Sequence, residues 1–274
     1  MGRVVPFFAL FSCASFLILS EVYAQHQRAS ETSQRTIKIG QTMPFSGPAS
    51  SFGSISKAES AYFEMLNATG GVNGRKIEFI ALDDAFSPPK AVEQTRKLVE
   101  SENVLAIVGS MGTSVNVAIS KYLNTNKVPQ LLSASASEKL NDPANLPWTT
   151  TFFLSQQVEA QTFAGWVLPN RPTAKVGILD QNDDFGKGYV AGLRASLGIK
   201  AEQIVVKEIS YDVSSPTVDS QILLLRDAGA DVVVLAAIPK FAAQALARSN
   251  ELGWKPQIPV NEGAAQTALW YSSL

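Results

Sequence analysis

Short apolar runs of strand length alternate with amphipathic runs of helix length along most of this chain. Strand-like runs fall at 36–40, 76–82, 104–108, 128–132, 175–179, 204–209 and 231–236, and helix-like runs at 55–68, 114–124, 158–167, 185–197, 217–227 and 240–252. In 55–68, Ala58, Ala61, Tyr62, Met65 and Leu66 share one face, and Gly70-Gly71 stop the helix. A further helix opens at Ser87-Pro88, where proline is tolerated in the first turn, and puts Ala91, Thr95, Leu98 and Val99 on one face. Continuously apolar strands between helices imply parallel sheets covered on both sides. The rhythm breaks over the Pro- and Asn-rich stretch 141–148, an extended crossing follows at 149–154, and the alternation then restarts. The pattern predicts two doubly wound α/β units, 36–150 and 151–262. In such sheets ligands bind beyond the carboxyl ends of strands, so the loops that follow strands carry the candidate chemistry.

Length fits two lobes: 274 residues divide into units of about 100–130 each. The net charge of −1 gives no footprint for nucleic acid. Residues 1–24 are of another kind: Arg3, an apolar run from Val4 to Ser20, then Val22-Tyr23-Ala24. They predict a secretory signal cut between Ala24 and Gln25, and so a periplasmic or secreted protein. A membrane anchor competes, but the run is short and holds Pro6, Ser12, Cys13 and Ser15. Cys13, the sole cysteine, is placed as in a lipoprotein signal, yet the apolar run continues past it to Leu19. The mature chain then has no thiol for a disulfide or metal. Residues 25–35 read as a flexible polar start.

Enzyme chemistry finds little footing. The only histidine, His26, lies in that polar start, which excludes a histidine-based triad. Asp83-Asp84 and Asp183-Asp184 are adjacent acids that point apart in a strand or turn, with no third ligand, so no metal or other cofactor is expected. Gly186-x-Gly188-x-x-x-Gly192 superficially fits a dinucleotide loop, but the insert 180–185 spoils the tight turn.

Several pieces in order carry a family likeness: KIGQTMPFSGPASSFG (38–53), NATGGVNG (67–74), LDD (82–84), VGS (108–110), VPQ (128–130), QNDDFG (181–186), PTVD (216–219) and GAD (229–231). Over about 36–258 the chain resembles the branched-chain amino-acid (Leu/Ile/Val) binding proteins, periplasmic solute-binding proteins of ABC transporters with the type I fold. The resemblance implies two lobes on a multi-strand hinge that close on a ligand in the cleft between them. It also implies delivery of a small carboxylate or amino acid (an amide or aromatic acid within the same range) to a membrane permease. The alternative function is a ligand-sensing domain of a signalling system that uses the same cleft.

Site residues follow from both sources. In Gly109-Ser110-Met111-Gly112-Thr113-Ser114 a strand ends and a helix begins; Gly112 permits close backbone approach, and a hydroxyl and free N–H groups suit a carboxylate. A plain helix cap is the competing reading. The resemblance places a carboxylate-binding hydroxyl at Thr113 and ligand-gripping positions at Ser135 and Ser137, and it makes Phe52 a pocket wall, against a core role. Phe185 stands where some relatives have tyrosine, so the wall keeps its apolar face and loses a donor. Met111 adds to an apolar end. Glu262 matches an acid that meets the ammonium group in amino-acid binders, against a solvated loop glutamate. Where some relatives close a disulfide, this chain has Phe86 and Gly112. The likeness fades after Val260, and 263–274 reads as a return segment cut short, leaving lobe 1 with an exposed apolar face.

Overall fold

The computed structural model describes residues 36–265. The signal segment, Cys13, the cut at Ala24, the polar start with His26, and the return segment beyond Ala265 lie outside the described residues. The first sheet contains β1 (Thr36–Met43), β2 (Lys76–Asp83), β3 (Ala106–Val108), β4 (Gln130–Ser133) and β5 (Thr149–Thr151), all parallel, in the order β2-β1-β3-β4-β5. Its helices are α1 (Gly53–Ala68), α2 (Pro88–Arg96, continued by a wider turn Lys97–Ser101) and α3 (Thr113–Thr125). Residues 152–155 lead to α4 (Gln156–Asn170). The second sheet, β6 (Val176–Gln181), β7 (Val205–Tyr211) and β8 (Val232–Ala236), is parallel in the order β7-β6-β8. Helices α5 (Asp184–Leu197), α6 (Ala201–Ile204), α7 (Asp219–Asp227) and α8 (Pro239–Glu251) connect it, and Gln257 and Val260 extend it by parallel bridges beside β8.

Every residue of β6 and β8 is buried, as their unbroken apolar runs require. The glycines of α5 explain the close fit of that helix. A side chain at Gly186 would strike the backbone of Gln181, and one at Gly188 the amide of Gln156. At Gly192 it would come within 2.9 Å of the Gln157 backbone. The run that superficially fits a phosphate loop therefore seats α5 on β6 and α4.

One expected face is on the wrong side. Ala58, Ala61, Tyr62 and Met65 are exposed, Tyr62 and Met65 at 56 and 57 %. Instead α1 turns Ser56, Glu59 and Phe63 towards the sheet. Gln41, fully buried, donates to Glu59 Oε2 at 2.7 Å, and the Phe63 ring lies 5.2 Å from that of Phe79. The same amide also donates to the Val108 and Gly109 carbonyls at 3.2 Å, so Glu59 joins a polar cluster on the sheet side of the helix. By contrast Ala91, Thr95 and Leu98 face the core as their spacing predicts.

The two units touch. One apolar cluster joins Met43, Phe52, Phe86 and Met111 of the first to Leu179, Tyr211, Ile238 and Phe241 of the second. Lys139 and Asp184 form an ion pair across the junction at 2.7 Å. Both side chains keep water contact, so the pair is worth at most about 1 kcal/mol. Lys139→Ala is expected to destabilise the fold by no more than about 1 kcal/mol, an effect that urea unfolding at low salt detects and that fades in high salt. A larger loss that persists in high salt would show that the pair is not a screened surface contact.

Candidate functional site

The carboxyl ends of both sheets converge on one cavity with about 530 Å³ of empty space, its mouth included. Lobe 1 contributes Phe52, Phe86, Met111, Gly112, Thr113 and the Ala134–Ala136 loop. Lobe 2 contributes Glu159, Gln181, Phe185, Ala237, Ile238 and 261–263, and Phe153 comes from the connection.

On the lobe 1 side, Gly112 (φ 102°) occupies the cap position of α3, and no side chain caps the helix. Thr113 is thus the first helical residue, not a cap. Its hydroxyl lies 2.8 Å from that of Ser135, and both residues are buried. The Ser137 N–H donates to Ser135 Oγ at 3.3 Å. A helix start with uncapped N–H groups beside two coupled hydroxyls favours an anionic group.

The Phe86 ring lies against Gly112, in the place of the disulfide of some relatives; any side chain at Gly112 would overlap the ring. Phe86 itself has φ 60°, held by its N–H to Asp84 Oδ1 at 2.8 Å. Asp84 is buried, and burial raises its pKa to about 6 against the Phe86 N–H bond. Asp83 next to it is pulled the other way. Burial resists ionisation there, but Lys90, Ser46 and backbone N–H groups outweigh it and hold the carboxyl far below the usual range. Asp183 accepts from Phe185 N and Gly186 N at the start of α5. These acids shape turns and caps, and among the described residues no group of three or more His, Cys, Asp or Glu is placed to hold a metal.

On the lobe 2 side, Gln181 is fixed from both ends: its amide donates to Asp183 at 2.7 Å, and its oxygen accepts from the Tyr211 hydroxyl at 3.0 Å. Asn261 accepts the Ala237 N–H at 3.0 Å. The Glu262 N–H donates to Glu159 Oε1 at 2.6 Å. Burial raises the Glu159 pKa to about 7, the Glu262 N–H opposes this, and the Glu262 charge adds to it; burial raises Glu262 as well.

Carboxylates raised in the folded state bind protons more tightly there than in the unfolded chain. Their contribution to stability is present at low pH and lost as pH rises through the folded values. For Asp84 and Glu159 the window runs from their ordinary values, 3.8 and 4.5, up to about 6 and about 7. The ligand-free protein is expected to melt at a higher temperature at pH 5.5 than at pH 7.5. A thermal scan in matched ionic strength checks it, and a flat or inverted profile refutes it.

Of the sequence-predicted residues, Phe52, Met111, Gly112, Thr113, Ser135, Phe185 and Glu262 lie together in the cavity wall. Ser137 does not: its hydroxyl accepts from Lys139 N at 3.3 Å and caps the short turn Glu138–Leu140. Along this loop it is the Ser135 hydroxyl that meets Thr113. Sequence reasoning missed Phe86, Phe153, Glu159, Gln181, Ile238 and Asn261 as wall residues. Gln181 and Ile238 carried a usable signal, since they end or follow strands. Glu159 carried none, because it sits one turn inside a helix.

Known proteins share this architecture. The chain is 24 % identical over 258 residues to Leu/Ile/Val-binding protein homolog 3 of Brucella melitensis, a match covering 93 % of this chain and 68 % of that one. The crystal structure of a substrate-binding periplasmic protein from Ralstonia solanacearum superposes with a TM-score of 0.78 at 22 % identity, covering 87 % of this chain and 68 % of the other. A fatty acid ABC transporter substrate-binding protein from Thermomonospora curvata does so at 0.76 and 24 % identity, covering 86 and 60 %. The chain thus spans 60 to 68 % of the length of these relatives. Two parallel-sheet lobes around one cleft are what these solved structures share with it, while their names differ in ligand. A family model for periplasmic binding proteins matches residues 36–270, and the chain belongs to that family.

Proposed function

We propose that this protein binds a small amino acid or related carboxylate outside the cytoplasm and hands it to the membrane permease of an ABC transporter, without chemically altering it. The observation that carries the reading is the cavity between the lobes, with the uncapped α3 start and the Thr113–Ser135 hydroxyl pair on one side and two acids on the other. A carboxylate suits the first pole and an ammonium group the second. The apolar wall between them suits a hydrophobic side chain. Support for export comes from the amino-terminal apolar run and Val22-Tyr23-Ala24. Support for transport comes from relatives named as Leu/Ile/Val-binding proteins and as a substrate-binding protein of an ABC transporter. A thermal-shift screen of amino acids, their amides and aromatic acids tests binding, since a ligand of the folded state raises the melting temperature. A shift with at least one compound, recovered unchanged after incubation, is expected. No shift with any of them, or turnover of one, overturns the reading.

A further inference from the structure

The second acid, Glu159, is more than ammonium recognition by Glu262 requires. It is the fourth residue of α4, and its carboxylate is tied to the Glu262 backbone, so both acids leave from one spot of the lobe 2 wall. Among the described residues no Lys or Arg lines the cavity. Lys139, at the lobe junction, is paired with Asp184. Tyr189 of α5 is fully buried, and its hydroxyl has no hydrogen-bond partner among the described residues. The oxygen is near enough to both carboxylates for their charges, after burial itself, to push its pKa up. Its ring packs against that of Phe185, a cavity wall residue, at 6.4 Å. The spot therefore holds two acids and an unsatisfied hydroxyl, in a cavity whose wall includes four phenylalanines. Among the described residues no cation lines the cavity to balance it.

We propose that Glu159 is a specificity-determining residue: with Glu262 it forms an acid pair that holds a proton when the cleft is empty and exchanges it for the ammonium group of an amine-bearing, apolar ligand. The inference rests on the reading of the cavity as the ligand cleft. Glu159 is half-buried, and burial together with the charge of the neighbouring, more exposed Glu262 makes its ionisation costly. A proton relieves the repulsion in the empty cleft, and an ammonium group relieves it in the filled one, aided by the aromatic faces. On binding, the carboxyl proton leaves to solvent and the ligand keeps its own. Among the described residues the titratable groups facing Glu159 are Glu262 from the turn and Tyr189 from α5, and the rest of the described cavity wall has none.

Calorimetry with matched probes tests this: L-leucine and L-phenylalanine against 4-methylpentanoate and 3-phenylpropanoate, each at pH 7 in phosphate and in Tris. At least one amino acid is expected to bind about tenfold or more tighter than its amine-free counterpart. The buffer dependence of the heat should show a net release of protons on binding, since burial raises the Glu159 carboxyl to about 7. Glu159→Gln, a neutral variant of the same shape, should abolish the release and reduce the preference to about threefold or less. Glu262→Gln, which keeps the backbone N–H, should also diminish both and guards against a folding defect confined to the first variant. Amine-free acids binding as tightly as the amino acids, or binding with no proton released, overturn the inference and leave the cleft reading standing. If none of the four probes binds while another compound of the thermal screen does, the inference falls and the cleft reading stands.

Discussion

A Gly112→Ala variant is expected to lose about 2–4 kcal/mol of stability, the combined cost of a strained backbone and an overfilled contact. At φ 102° an alanine is strained before its neighbours are considered. Its methyl group would also overlap the ring of Phe86, which is itself held at φ 60° by Asp84. Urea unfolding measures the loss. Combining the change with Phe86→Ala should remove the overlap but not the strain, so the double variant should be less destabilised than the two single effects summed. Simple additivity would show that the glycine is needed for its backbone alone.

Thr113→Ala is expected to weaken ligand binding by about 1–3 kcal/mol, or about 5- to 150-fold, as for loss of a hydrogen bond to a charged group. The fold should survive. Gly112 holds the cap position, and Ser135 keeps the Ser137 N–H as donor after losing the Thr113 hydroxyl. Calorimetry with the tightest compound from the thermal screen, beside a urea melt, separates the two effects. Unchanged affinity with reduced stability would make Thr113 a packing residue only.

The two-lobe plan is legible in the sequence because VVVLA at 232–236 and similar runs admit no exposed face, and parallel pairing between helices is what buries both. The lobe 1 wall is legible for a related reason: loops that follow strands are where such sheets keep ligands, and Met111 to Thr113 is one of them. Other features depend on partners that are distant in sequence. The stripe Ala58, Ala61, Tyr62, Met65 is a true helical periodicity, but periodicity does not say what covers it, and Gln41 claims the opposite side through Glu59. A run of alternating serines does not reveal which hydroxyl meets Thr113, and Ser137 turns to its own backbone instead. Glu159 looks like any helix-surface acid until Glu262, 103 positions later, brings its N–H against it. Phe86 reads as a missing cysteine, whereas its positive φ turns it into a wall of the cleft.

Among the described residues the chain passes from one sheet to the other once, over 152–155, where Phe152 and Leu154 are 67 and 62 % exposed. This short link acts as a tether. It keeps each lobe at a high effective concentration for the other, so bringing the two cavity walls together is a one-body event with little translational entropy to lose. Were the tether cut, the same walls, hydroxyls and acids would have to find one another as separate fragments. The ligand would then carry an association cost of several kcal/mol that the intact link cancels.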